Sequence, residues 1–221
     1  MEFSPLWISL KTATCATAIA FLGGILLAWR ALFLRRWLGL LDAILTLPMV
    51  LPPTVVGFFL LLLFGKKGWL GQILLSLQIS FVFTWKAAVI AAALVSLPLM
   101  YRTARGAFEQ VDTDLLAVAR TLGATEWRIF WQILLPNARE GILAGLVLSF
   151  ARALGEFGAT IMVAGNIPGV TQTMSTAIYS AVQANDDGLA LRWSLAVVAF
   201  SLCIVFLMNA WLGRGRGSRF L

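Results

Sequence analysis

No histidine occurs in these 221 residues, and only two cysteines do. The missing imidazole removes the commonest proton shuttle and the commonest metal ligand together. Cys15 and Cys203 each stand inside an apolar run, far apart and without C-x-x-C spacing. That pattern argues against a disulfide framework and against a zinc site. Charge is also scarce, at 12% of residues, about half the share of an ordinary soluble domain. No G-x-x-x-x-G-K-S/T loop is present, so the chain has no phosphate cradle for ATP. With no nucleophile–base constellation either, an integral-membrane enzyme is a weak reading.

What the chain does have is apolar length. Hydrophobic residues make up 60% of it, collected in blocks of about 20, the length that crosses a ~30 Å hydrocarbon core. The fold expected is therefore an all-α membrane protein, a polytopic bundle in a single transmembrane domain over 1–221. The net charge of +7 sits in short loops beside apolar runs, as the positive-inside bias requires. No basic stripe interleaved with aromatics tracks a phosphate backbone, so nucleic acid is not an expected partner.

Five spans are expected. The first covers about Leu6–Trp29, with Lys11 near its start; Met1-Glu2-Phe3 lacks the basic segment of a signal peptide, so this helix is read as retained. The second, Leu38–Phe64, holds Pro48, Pro52, Pro53 and Gly57. Proline removes a backbone donor and clashes with the preceding turn, so the helix must kink or break there. A break at membrane depth survives only in protein or beside a wet cavity, which makes Pro48, Pro52, Pro53 and Gly57 candidate path-lining positions. A kink that merely improves packing is the other reading, and the residues leave both open. Trp69–Leu77 is read as a short amphipathic piece at the interface. The remaining spans are Phe81–Tyr101, Gly141–Ala164 and Trp193–Leu212; a sixth segment around 172–184 is the alternative. Residues 102–140 form a long polar connection.

Orientation follows from arginine. Arg30, Arg35, Arg36, Arg102, Arg105, Arg120, Arg128, Arg139, Arg214, Arg216 and Arg219 fall on one side; Lys66, Lys67 and Arg192 fall on the other. The first side is assigned to the cytoplasm, which leaves the N-terminus outside and the C-terminus inside.

The connection itself reads as a helical hairpin. Thr113 or Asp114 caps a first helix, Leu115, Ala119 and Leu122 give it an apolar stripe, and Gly123 ends it in the left-handed region. Thr125 caps a second helix carrying Phe130, Ile133 and Leu134, and Pro136 closes it. Such a hairpin either packs on its own helix ends or docks in a partner's groove.

Gly123, nine intervening residues, then Ile133, Leu135 and Pro136 resemble the "EAA loop" of ABC-importer permeases. The resemblance implies a type I importer fold in which Leu115, Ala117, Ala119, Leu122, Gly123, Ala124, Thr125, Phe130, Ile133 and Pro136 belong to a coupling element seated on a cytosolic ATPase. The match departs at Ala117-Val118-Ala119, where the family often has Glu-Ala-Ala. Three further stretches are similar to molybdate ABC-importer permeases: Phe150–Thr160 with Ala164–Thr173, Leu47–Gly57, and Thr84-Trp85-Lys86. Sulfate/thiosulfate and tungstate permeases share much of the Arg152–Glu156 block. The resemblance implies a homodimer in the inner membrane, an ATPase dimer that carries ATP and magnesium, no cofactor on this chain, and an external solute-binding protein.

Arg152 and Glu156 are four residues apart in an apolar span, and neither charge should face lipid, where it would cost ~2.5–3.5 kcal/mol. A mutual ion pair, or one across a dimer interface, is the favoured reading; the alternative is that Arg152 lends positive potential to a passing dianion. A passive anion channel is the remaining functional alternative, separable from a pump by the ATP dependence of uptake.

Overall fold

The computed structural model describes residues 3–34 and 36–216, without the side chains of 208, 209 and 211–216. Arg35 and Arg219 of the arginine tally lie outside the described residues. The helices, in chain order, are α1 (Ser4–Ala31), α2 (Leu38–Val50), α3 (Pro53–Phe64), α4 (Trp69–Ser76), α5 (Trp85–Glu109), α6 (Thr113–Thr121), α7 (Glu126–Ile129), α8 (Leu135–Asn137), α9 (Arg139–Leu154), α10 (Gly158–Ala164), α11 (Met174–Gln183) and α12 (Asp187–Arg216), with a π turn at Phe130–Leu134 between α7 and α8. No strand occurs among the described residues.

Among the described residues, three helices are long and apolar enough to cross a membrane: α1, α5 and residues Asp187–Leu207 of α12. Two bent pairs raise the number to five. The α2–α3 pair bends by 108°, and the stretch Glu126–Asn137 bends by 76° against α9. The possible sixth span is instead α11, whose 10 residues reach ~15 Å at 1.5 Å per residue. That is half a bilayer core.

α5 is the central post. Pro98 lies inside it and is buried, so the expected boundary near Tyr101 gives way to a helix that runs on to Glu109. The first eight residues of the expected 102–140 connection thus continue a span. α1 lies along α5 through small residues: Ala13 and Ala16 share a buried cluster with Val89, Ala92 and Ala93, and Ala20 and Ala28 share one with Met100, Tyr101 and Ala104. Without a hydrophobic drive between helices in lipid, such small side chains let backbones approach and gain dispersion contact. The apolar core falls into three clusters: α1–α5 with the hairpin, α3–α5–α10, and α1–α5–α9 with Met174. α12 stands at the edge, with Leu191, Leu195, Val198, Leu202 and Phe206 exposed. It begins at Asp187, six residues before the expected Trp193, because Asp186 accepts from the Leu189 N–H at 2.9 Å and caps it.

Candidate functional site

The hairpin is built from local signals. Asp112 caps α6 by accepting from the Asp114 N–H at 2.9 Å, one residue earlier than the expected Thr113 or Asp114. Gly123 follows with φ +79°, a conformation that costs a residue with a Cβ but not glycine. The Gly123 N–H reaches the Arg120 carbonyl and the Ala124 N–H reaches the Ala119 carbonyl, both at 3.0 Å, the paired bonds of a Schellman ending. Thr125 then caps α7 through the Arg128 N–H. Arg120 bridges to Glu126 at 2.7 Å, tying the two arms.

This bridge holds the Glu126 carboxyl below its ordinary range through the Arg120 hydrogen bond, and raises Arg120 in return. A carboxyl lowered by folding adds stability above the ordinary glutamate range, and that stability disappears as pH falls through the lowered value. Both groups are nearly half exposed, so the contribution is that of a surface pair, ~0–1 kcal/mol.

The second arm does not end at Pro136. A proline there cannot donate to the Gln132 carbonyl and its ring would crowd it. The chain answers with the π turn, in which the Leu135 N–H bonds to the Phe130 carbonyl, five residues back. The helix then continues to Asn137, and the bend falls at Ala138.

Phe130 fixes the arm to the bundle. Its ring centroid lies 4.8 Å from Trp29 of α1 and 6.2 Å from Phe108 of α5, and Ile129 and Leu134 are buried beside it. Ile133 and Ala124 are half-buried, while Thr125 and Pro136 are exposed. The expected stripe on α6 divides. Ala119 is buried and Leu116 leans on the core, whereas Leu115, Ala117, Val118 and Leu122 face outward. The short alanine in the middle of the stripe is buried, and the longer leucines on either side of it remain outside. Trp127 and Trp131 are also exposed, so both arms of the twice-capped hairpin carry large apolar side chains outward. Beside it opens a cleft of ≈ 590 Å³ lined by Arg102, Gln110, Leu115, Asn137 and Glu140 among others.

A second constellation lies deeper. α9 stops at Leu154 and α10 starts at Gly158, so the expected continuous span Gly141–Ala164 is broken at Gly155-Glu156-Phe157. Arg152 Nη1 lies 2.7 Å from Glu156 Oε2, and Glu156 is 2% exposed against 33% for Arg152. The pair therefore bridges a helix end rather than sharing one continuous helix face. The other Glu156 oxygen accepts from the Ala159 N–H at 2.8 Å, serving the first turn of α10.

This break meets the proline break of the second span. A Cβ on Gly158 would stand 2.9 Å from Pro53 Cβ, and one on Gly57 would stand 2.7 Å from Met162 Cβ and 2.8 Å from Ala159 Cα. Among the expected path-lining positions, Pro52 is exposed, Pro48 and Pro53 are half-buried, and Gly57 is buried by α10. Gly57 is a packing position in this structure, because only a missing side chain permits that approach. The threonines that follow α10 are structural too: Thr171 accepts from the Ile167 N–H at 3.0 Å, and Thr173 and Thr176 form a capping box on α11.

One cluster escaped the sequence reading. Asp42 of α2 accepts from the Tyr101 hydroxyl and pairs with Arg105, both on α5, and Arg105 also pairs with Glu109 at 2.7 Å. The signal was there: Asp42 is the one acid in the apolar run Leu38–Phe64. No cluster of potential metal ligands occurs among the described residues.

Comparison with known proteins agrees with this geometry. The chain is 43% identical over 220 residues to the molybdenum transport system permease protein ModB of Escherichia coli K12, covering 96% of this chain and 94% of that one. It is 41% identical over 218 residues to the ModB of Haemophilus influenzae, at 97% and 94% coverage. The sulfate transport system permease protein CysT of E. coli K12 is 36% identical over 209 residues, covering 94% of this chain and 75% of CysT. In three dimensions the chain follows a bacterial ABC transporter involved in alginate import, with TM-score 0.80 at 19% identity, over 97% of this chain and 80% of that one. It also follows the inward-facing MetNI methionine ABC transporter, with TM-score 0.74 at 15% identity, over 95% and 94%. These two show the fold, that of type I importer permeases. Residues 20–215 match the binding-protein-dependent transport system inner membrane component family, and with close relatives along nearly its whole length the chain belongs to that family.

Proposed function

We propose that the chain is the membrane passage of an importer that brings molybdate into the cytoplasm. In this reading two copies form a homodimer in the inner membrane, with N-termini outside and C-termini inside. A pair of cytosolic ATPase subunits binds ATP and magnesium and seats the two hairpins. An external solute-binding protein delivers the oxyanion. The carrying observation is the 43% identity, over almost the entire chain, to a molybdenum transport permease.

The physical role of this chain follows from its parts. The exposed Leu115, Val118, Leu122, Trp127 and Trp131 supply apolar contact for a partner's cleft. Phe130, wedged between Trp29 and Phe108, carries displacement of the hairpin into α1 and α5. Closure of the ATPase would then rock packed helices between two arrangements. Ala117 is exposed where the family often has glutamate, so the seat loses one polar contact and keeps its apolar ones.

A sulfate permease is the second reading, favoured only by the shared Arg152–Glu156 block and supported by lower identity. Uptake of labelled molybdate into vesicles holding the permease, its neighbouring ATPase and the binding protein tests the proposal. ATP-dependent uptake, competed by tungstate more strongly than by sulfate, is the expected result. ATP-independent flux, or failure to co-purify with the ATPase, would overturn it.

A further inference from the structure

α2 differs from the other long helices in how it is held. Thr46 is its one buried residue. Leu40, Ile44, Leu47, Met49 and Val50 are exposed, while Leu38, Leu41 and Leu45 lean on the core without being buried. At one end α2 meets the Leu51-Pro52 break, where the axis turns by 108°. The Leu51 N–H still reaches the Leu47 carbonyl at 3.0 Å, but Pro52 and Pro53 have no N–H to carry the ladder on, so small φ/ψ changes there swing a whole helix. At its hairpin end, α2 is tied to α5 by Asp42 alone among charged groups, through the Tyr101 hydroxyl and the Arg105 guanidinium.

The tie has a second feature. Tyr101 and Arg105 are one turn apart on α5, and Glu109 is one turn further, with its Oε1 already 2.7 Å from Arg105 Nε. Arg105 thus holds two carboxylates, one on a different helix and one on its own. If α2 moved away, Arg105 would keep Glu109, and Asp42 would be released at the rim, where its side chain is already 32% exposed. Removing one partner of an ion pair is expensive when it leaves the other charge buried and alone. Here neither charge would be left so. The second carboxylate lets Arg105 remain paired whether or not Asp42 is in place, as a reversible contact requires.

We propose that Asp42–Arg105 is a latch that holds α2 against α5 in one conformation and opens in the other, with Leu51-Pro52 as the hinge and Glu109 as the holder of Arg105 in the open state. The latch sits just before the hairpin, since α5 ends at Glu109 and Asp112 already caps α6. Displacement of the hairpin by its partner would reach Arg105 directly. The inference rests on the reading of the chain as an ATPase-driven permease.

The two carboxylates give it opposite signatures. Spin labels are placed on two exposed positions, Ile44→Cys on α2 and Leu148→Cys on α9, in a Cys15→Ser, Cys203→Ser background of the assembled permease–ATPase complex. The distance distribution is then read without nucleotide and with the ATPase trapped by ATP and vanadate. The expected result is two distances, with the trapped state favouring one. Asp42→Asn shifts the nucleotide-free complex toward the open distance, and Glu109→Gln shifts it toward the latched one, each changing the ratio by about fivefold, an ion-pair-sized effect. A single unchanged distance in both states overturns the proposal, as does a shift of the same sign from both variants. Should Asp42→Asn fail to assemble, Asp42→Glu and Glu109→Gln still carry the test, since the first retains the latch and the second strengthens it. A complex that does not form with the unsubstituted chain would instead speak against the ATPase-driven reading.

Discussion

Glu156 is 2% exposed and Arg152 only one-third exposed, with 2.7 Å between their charged atoms. Replacing Arg152 by methionine keeps much of its length and removes its charge. It strands a buried carboxylate whose remaining partner is the Ala159 N–H. Breaking a buried pair from one side costs ~3–5 kcal/mol, whereas removing both charges at similar volume is often nearly neutral. Glu156→Gln retains the acceptor for Ala159, so Arg152→Met with Glu156→Gln should recover most of what Arg152→Met loses. The non-additivity in a double-mutant cycle should reach ~2 kcal/mol or more. On the scale of a domain this size, the Arg152→Met loss lowers the melting temperature by on the order of 10 °C. Thermal unfolding of the purified complex, followed by intrinsic fluorescence, provides the assay, with uptake compared at equal membrane abundance. A double variant no more stable than Arg152→Met alone would refute the pairing argument. A double variant that assembles and transports makes the pair structural; one that assembles and does not transport assigns Arg152 to the anion.

Two further outcomes are expected. Gly57→Val forces a side chain into Met162 and the Ala159 backbone, as the 2.7 and 2.8 Å approaches require; overpacking of this kind costs ~1–3 kcal/mol, and thermal unfolding should show the loss while Gly39→Ala, which has open space around it, should not. Gly123→Val places a β-branched residue at φ +79°, costing ~1–3 kcal/mol of local strain; membrane abundance should persist while co-purification with the ATPase falls, and unchanged co-purification would show that the turn does not shape the docking surface.

Much of this molecule is legible from its residues because much of it is local. Gly123 and Thr125 carry their capping chemistry in the side chain or in its absence, and Asp112 does so one residue ahead of the cap expected, so the hairpin forms where they stand. Apolar length marks α1, α5 and α12 for the same reason. The proline break at Leu51-Pro52 announces itself, but the break at Gly155-Glu156-Phe157 contains no proline. It is stabilised by Glu156 serving the first turn of α10 and by tertiary contact of Gly158 with Pro53 of the other break, far earlier in the chain. The π turn was hidden likewise: Pro136 signals an ending, yet the helix can widen and continue when Phe130 and Leu134 anchor it. Asp42 was readable as an isolated acid, but its partners lie 59 and 63 residues away, beyond any periodicity.

The bend at Ala138 turns the second arm into a crank. Glu126–Asn137 has 12 residues, ~18 Å of helix at 1.5 Å per residue, set at 76° to α9. A rotation of ~10° about that corner displaces the Gly123 end by ~3 Å while the corner itself barely translates. A push delivered at the tip therefore reaches the core as torque. Because Phe130 sits part-way along the crank between Trp29 and Phe108, the same rotation bears sideways on α1 and α5. Under the proposed docking of an ATPase on the hairpin, the amplitude that partner must supply is set by the arm's length, and lengthening or shortening the arm by one turn would alter the gearing between partner and passage without touching either surface.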